Sequence, residues 1–183
     1  MVVAATGFFD GVHLGHKAVL DTLTEKAKSL GAQSVVLSFW PHPRAVLQQD
    51  AHTFRMLTSL DEKKEMIHRL GVDAFKIISF SKDFSTLSFK EFCKEYLVKE
   101  YGVNVLVAGF DHRLGCDGVK NREYMQEEAR TCGIEIIWVP EYKTEQGEHI
   151  SSTKIRAALA QGSIETANRW LGYPYCLHGV VVE

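Results

Sequence analysis

A helical segment, a glycine and a β-rich run recur four times along this 183-residue chain, around Gly31, Gly71, Gly102 and Gly133. The glycine steps read Leu30-Gly31-Ala32, Leu70-Gly71-Val72, Tyr101-Gly102-Val103 and Cys132-Gly133-Ile134. No other feature constrains the fold as much. Glycine just past a helix end takes the left-handed conformation without a Cβ penalty. The runs that follow, 34–39, 74–80, 103–108 and 134–139, are mostly apolar. Near-continuous apolar runs suit strands buried on both faces, as in parallel sheets. With 2–6 added, about five strands alternate with helices, which predicts an α/β fold: a Rossmann-like open parallel sheet flanked by helices.

Helix starts agree. Ser59-Leu60-Asp61-Glu62 and Ser88-Phe89-Lys90-Glu91 fit the S-x-x-E capping box, so helices are expected from there to Leu70 and to Val98. Two short helices, 153–161 and 164–171, follow near the end, and 177–182 reads as one further strand. That strand predicts either the opening of a second module or an edge strand of this one.

Composition narrows the function classes. A formal net charge of -2 argues against a broad nucleic-acid surface, while leaving room for a local basic pocket. The four cysteines, Cys93, Cys116, Cys132 and Cys176, form no CxxC pair and read as reduced thiols, not a disulfide framework or a zinc ribbon. No apolar run approaches the ~20 residues of a membrane span, and the N-terminus lacks signal-peptide character. A cytoplasmic protein with no membrane partner is expected.

The chemistry concentrates where the first strand hands over to the first helix, in Gly7-Phe8-Phe9-Asp10-Gly11-Val12-His13-Leu14-Gly15-His16. In open parallel sheets ligands bind outside the carboxyl ends of the strands. Glycines there let backbone approach a ligand, and a helix N-terminus favours anions. Neither the P-loop pattern nor G-x-G-x-x-G is present. His13, His16, Leu20, Leu23, Ala27 and Leu30 step by three and four, so the two histidines extend a buried stripe up to the ligand lip. There they are either packed capping residues or hydrogen-bond donors to phosphate; the neighbouring glycines favour the donors. A protein-held metal is not expected, because no third ligand has zinc-like spacing.

A second anion signal lies at Ile150-Ser151-Ser152-Thr153-Lys154-Ile155-Arg156. The serines suit an N-cap, and cations in a first helical turn oppose the helix dipole unless an anion compensates. A plain cap with solvated cations is the alternative.

H-x-G-H (His13–His16) and I-S-S-T-x-x-R (Ile150–Arg156) resemble the paired signatures of the HxGH nucleotidylyltransferase superfamily. Within it, Thr6–His16, Phe39-Trp40-Pro41-His42-Pro43-Arg44, Arg55-Met56-Leu57-Thr58 and Gly109-Phe110-Asp111-His112-Arg113-Leu114-Gly115 are similar to the bacterial FAD synthetases, bifunctional riboflavin kinase/FMN adenylyltransferases. The tail from Pro174 to Val181 resembles the start of their kinase module. The resemblance implies the HxGH nucleotidyltransferase fold and the transfer of AMP from ATP to FMN, with FAD and pyrophosphate as products and magnesium accompanying ATP. It implies an adenylyltransferase domain over 1–172, a linker and truncated kinase start over 173–183, and a riboflavin kinase module C-terminal to them. It assigns His13, His16 and Arg156 to catalysis, and Gly7, Phe8, Asp10, Gly15, Gly109, Asp111, Ser152 and Thr153 to ATP. Trp40, Pro41, His42 and Pro43 border the flavin or merely stiffen a loop; Asp10 touches ligand or orients the glycine loop. The chain departs from the family at Phe8, where asparagine is usual, and at His112 and Leu114, where phenylalanines are common. The readings that compete are another HxGH adenylyl- or cytidylyltransferase with a different acceptor, a non-catalytic nucleotide-binding module, and an α/β interaction domain without a site.

Overall fold

All four helix-ending glycines take positive φ, from 58° at Gly31 to 85° at Gly71, and each is followed by a strand. The computed structural model describes residues 1–47, 55–117, 121–177 and 179. Among these residues five strands alternate with helices: β1 (Val2–Thr6), α1 (Leu14–Leu30), β2 (Gln33–Trp40), α2 (Pro43–Leu47), α3 (Leu60–Arg69), β3 (Ala74–Ser79), α4 (Phe89–Phe92), β4 (Val103–Gly109), α5 (Arg122–Thr131), β5 (Glu135–Val139), α6 (Ser152–Ala160) and α7 (Ile164–Leu171). A 3₁₀ turn, Phe84–Thr86, precedes α4, and Cys93–Glu100 continues α4 as a π-helix. The helix expected from Ser88 to Val98 therefore exists but widens after its first turn. Both predicted capping boxes, at Ser59 and Ser88, are present. The strand expected over 177–182 falls mostly outside the described residues.

The sheet is wholly parallel in the order β3-β2-β1-β4-β5. Because side chains alternate along a strand, its central strands bury both faces. Leu37, Phe39 and Leu106 meet Phe89, Phe92 and Leu97 of the α4 segment and Met125 of α5. On the other face Val3, Ala5, Val36 and Val107 meet Leu20 and Leu23 of α1 and Ile67 of α3. The α1 stripe is buried through Ala27; Leu30, its last residue, is 41% exposed. Among the described residues no helix is long and apolar enough to cross a membrane.

Two features of this arrangement position a site. The strand order reverses at β1, whose successor β2 lies on one side and β4 on the other. A crevice outside the carboxyl ends of β1 and β4 follows from that topology. Separately, α6 and α7 build a small core of Ile155, Ala158, Ala167 and Leu171 against Leu57 and Ile150. That core hangs the N-terminus of α6 over the crevice.

Candidate active site

Between β1 and α1 the backbone turns sharply enough that Phe9 and Val12 adopt positive φ, 48° and 37°. Such conformations are uncommon for residues with side chains and a real outlier for a β-branched one. They persist where surroundings over-determine them, and here the surroundings can be named. Asp10 Oδ1 accepts hydrogen bonds from the backbone N–H groups of Leu57 (2.9 Å) and Thr58 (3.3 Å). Gly11 N–H donates to Thr58 Oγ1 at 3.2 Å, and Tyr173 O–H donates to the Gly11 carbonyl at 2.6 Å. Gly11 has φ 77°, and a Cβ there would stand 2.7 Å from Leu57 Cδ1, so a side chain would strain the backbone and have to displace Leu57.

The turn delivers His13 as the N-cap of α1, with its Nδ1 accepting the His16 N–H at 3.3 Å. That bond leaves the proton of a neutral imidazole on Nε2, since a ring nitrogen that accepts carries none. The His16 ring stacks on His13 with centroids 3.6 Å apart and planes 17° apart, and Phe9 packs edge-on against it at 5.2 Å. Burial pulls His13 down to about 4 and His16 well below its ordinary value, with the other imidazole adding to the effect on His16. At neutral pH the pair therefore presents N–H dipoles, not two stacked cations.

The second anion signal arrives from 142 residues away, where the Ser152 hydroxyl donates to the Asp10 carbonyl at 2.9 Å. Ser151 is the N-cap of α6 and accepts from Lys154 N–H at 3.3 Å. Arg156 donates from one nitrogen to Asp10 Oδ2 at 2.6 Å and from another to Thr153 Oγ1 at 3.3 Å. Lys154 turns away to donate to the His149 carbonyl. Asp10, at 3% exposure, is thus the joint between the two segments, and both carboxylate oxygens are engaged by the protein itself. Desolvation raises the Asp10 pKa, opposed first by Arg156 and then by the two N–H groups.

At the end of β4, His112 Nε2 lies 2.8 Å from the Thr6 hydroxyl, tying the two strand ends together. Asp111 is exposed at the lip. Across the cleft Phe8, the departure from the resembled pattern, packs its ring on Phe39 (5.3 Å) and His42 (4.7 Å) and forms an aromatic wall. These parts enclose a cleft of about 460 Å³. His13, His16, Arg156, Gly7, Phe8, Asp10, Gly15, Gly109, Asp111, Ser152 and Thr153 all line it. Of the Trp40–Pro43 turn, which contains a cis Trp40–Pro41 peptide, only His42 is among the lining residues; Trp40, Pro41 and Pro43 are not. Arg44 and Arg113 add positive charge to the wall.

Sequence reasoning missed Tyr173, which braces Gly11, and Lys63, a fully buried cation of α3 whose charge acts on Asp10. Lys63 carried a legible signal, a cation on the α3 face that also bears Ile67. Tyr173 carried none, because nothing local marks its contact with Gly11.

The depressed histidines make stability depend on pH. His13 and His112 titrate at about 4 when folded, because burial disfavours the imidazolium, against an ordinary value of 6.5. Above pH 6.5 neither state holds the proton, so neither residue costs stability there. Between that value and about 4 the unfolded chain takes up protons that the native chain refuses, so stability falls with pH. Urea midpoints should decline across that window, less steeply in His112→Gln; a flat profile would contradict the burial of these rings.

A family model for FAD synthetase matches residues 1–154. The chain belongs to the FAD synthetase family. The bifunctional riboflavin kinase/FMN adenylyltransferase of Listeria monocytogenes is 40% identical over 181 residues, covering 99% of this chain and 57% of that protein. Its counterparts in Bacillus subtilis and Escherichia coli K12 are 38% and 33% identical, again over 99% of the chain and 56% and 57% of theirs. The chain thus spans little more than half the length of these FAD synthetase relatives. Among solved structures, a Streptococcus pneumoniae protein described as a macrolide-efflux protein superposes with a TM-score of 0.82 at 30% identity, over 95% of this chain and 56% of that one. Pantoate-beta-alanine ligase from Francisella tularensis shares the fold alone, at TM-score 0.50 and 18% identity over 93% of this chain and 69% of that one.

Proposed function

We propose that the chain transfers AMP from ATP to the phosphate of FMN, giving FAD and pyrophosphate. The observation that carries this reading is the junction at Asp10, where two phosphate-binding segments far apart in sequence are joined by Arg156 at 2.6 Å and Ser152 at 2.9 Å beside the stacked histidines. An FMN phosphate oxygen attacks the α-phosphorus in line, a new P–O bond forms, and the bond to the β-phosphate oxygen breaks as pyrophosphate leaves. The attacking oxygen is already ionised at neutral pH, so no general base is needed. Rate then depends on positioning and on donors aimed at developing charge.

In this reading His13 and His16 donate to the triphosphate as neutral imidazoles, with His16 nearer the α-phosphate. Ser152, Thr153 and Arg156 hold the β and γ groups that depart. Asp111 contacts the ATP ribose, and the backbone at Gly7, Gly15 and Gly109 lets the nucleotide come close. Phe8 lines the ATP cleft and packs on His42, which faces the flavin side, while Asp10 acts by holding the loop and Arg156. Among the described residues no three His, Cys, Asp or Glu side chains gather as a metal site. A magnesium ion arriving with ATP would be held by phosphate oxygens and water, as is its habit, and would neutralise charge on the leaving group. The proposal assigns the transferase to residues 1–172 and a linker with the beginning of a riboflavin kinase module to 173–183.

Incubation with FMN, ATP and magnesium should yield FAD and pyrophosphate in equal amounts, read by chromatography and a coupled phosphate assay. Nicotinate mononucleotide and phosphopantetheine in place of FMN should give no pyrophosphate. Turnover with either of those but not with FMN would establish a different acceptor. ATP binding without any pyrophosphate release would establish a nucleotide-binding module.

A further inference from the structure

Lys63 is 0% exposed, and its buried Nζ has no hydrogen-bond partner among the described residues. An ammonium in that position is costly unless something compensates its charge. It sits one turn into α3, on the same buried face as Ile67. Helical side chains lean toward the helix N-terminus, which for Lys63 is the side of Leu57 and Thr58. The N–H groups of those two residues hold Asp10. The Asp10 carboxylate therefore has Arg156 in contact at 2.6 Å and also feels the charge of Lys63, whose Nζ makes no hydrogen bond among the described residues.

We infer that Lys63 is a positioning residue, a standby counter-ion that takes up the Asp10 carboxylate when Arg156 turns to ligand phosphate. The inference rests on the reading above that Arg156 binds the departing phosphates. Asp10 is 3% exposed, so drawing Arg156 away would leave a buried carboxylate held by two N–H groups alone. Breaking a buried ion pair from one side is strongly destabilising. With Lys63 in place the carboxylate never lacks a cation, the strained loop keeps its shape, and Arg156 is released to the ligand. The flexible stem and point charge of lysine suit such a movement better than a second guanidinium would. Electrostatics agree: burial lowers Lys63, Asp10 raises it again, and its charge reaches His16 and His42 as well.

The test is a double-mutant cycle in the 183-residue chain with Lys63→Met, Arg156→Met and the pair, by urea unfolding without nucleotide, together with calorimetric titration of Lys63→Met by ATP and magnesium. With Arg156 present, Lys63→Met should leave the urea midpoint unchanged or raised, because it removes a buried ammonium that makes no hydrogen bond among the described residues. In the Arg156→Met background it should lower the midpoint, because Asp10 then depends on Lys63. ATP binding by Lys63→Met should weaken by about tenfold or more, the scale of a lost buried charge contact. Lys63→Gln, which keeps N–H donors without charge, should behave like Lys63→Met. An equal fall of the midpoint in both backgrounds would mark Lys63 as merely structural and overturn the inference. Failure of either Lys63 variant to fold, or unchanged ATP affinity where the wild type binds ATP, would overturn it too. If the wild type binds no ATP, the proposed function fails, and the nucleotide-free cycle decides the Asp10–Lys63 relation by itself.

Discussion

Replacing His16 by alanine is expected to slow FAD formation by roughly 10²–10³-fold, the usual cost of one preorganised transition-state donor. The ring sits on the first turn of α1, stacked on His13 at 3.6 Å and met edge-on by Phe9 at 5.2 Å, so its orientation is set before any ligand arrives. Alanine keeps the helix and leaves the Leu20, Leu23 and Ala27 stripe against the sheet untouched. The loss should therefore appear in kcat with the urea midpoint close to wild type. His13→Ala is a less clean comparison, because it also removes the N-cap that accepts the His16 N–H. Near-normal FAD formation by His16→Ala would remove that residue from the mechanism.

The largest effect on stability is expected for Asp10→Ala. The substitution deletes the acceptor of the Leu57 and Thr58 N–H groups and the partner of Arg156 in one step. It also releases a loop whose Phe9 and Val12 hold disfavoured backbone conformations. Removing one side of a buried ion pair typically costs about 3–5 kcal/mol, enough to lower the urea midpoint plainly in a domain of ordinary marginal stability. FAD formation should be lost even where the chain is still folded, because the α6 segment is no longer tied to the His13–His16 turn. Asp10→Asn retains an oxygen for the N–H groups but not the charge for Arg156, and should lie between the two in stability. An Asp10→Ala midpoint equal to wild type would show that the joint carries no load.

How much of this was legible in the chain differs by element. The helix–glycine–strand steps at Gly31, Gly71, Gly102 and Gly133 announced a parallel α/β sheet, because both the left-handed helix stop and the doubly buried strand write themselves into neighbouring residues. The capping boxes at Ser59 and Ser88 were legible for the same local reason, and each appears where expected. The stripe from His13 to Ala27 placed two imidazoles at the lip of a crevice, and Ser151–Arg156 marked a second anion-seeking turn. Sequence alone leaves the role of the Trp40–Pro43 turn open, and of its residues only His42 lines the cleft.

Local pattern thus determined the fold class, the end of α1 and the bounds of α3, α6 and α7 to within a residue, and the residue types available for phosphate chemistry. Tertiary structure alone decided which of those residues meet. That Asp10 faces Arg156 and not solvent, that Tyr173 braces Gly11, that His112 ties β4 to Thr6, and that Lys63 Nζ lies buried with no hydrogen bond among the described residues are outcomes of distant segments converging on one strand switch. Periodicity and capping act over three or four residues. The balance of charge in a buried cluster is set by groups brought together from 146 residues apart, and only the packed chain specifies it.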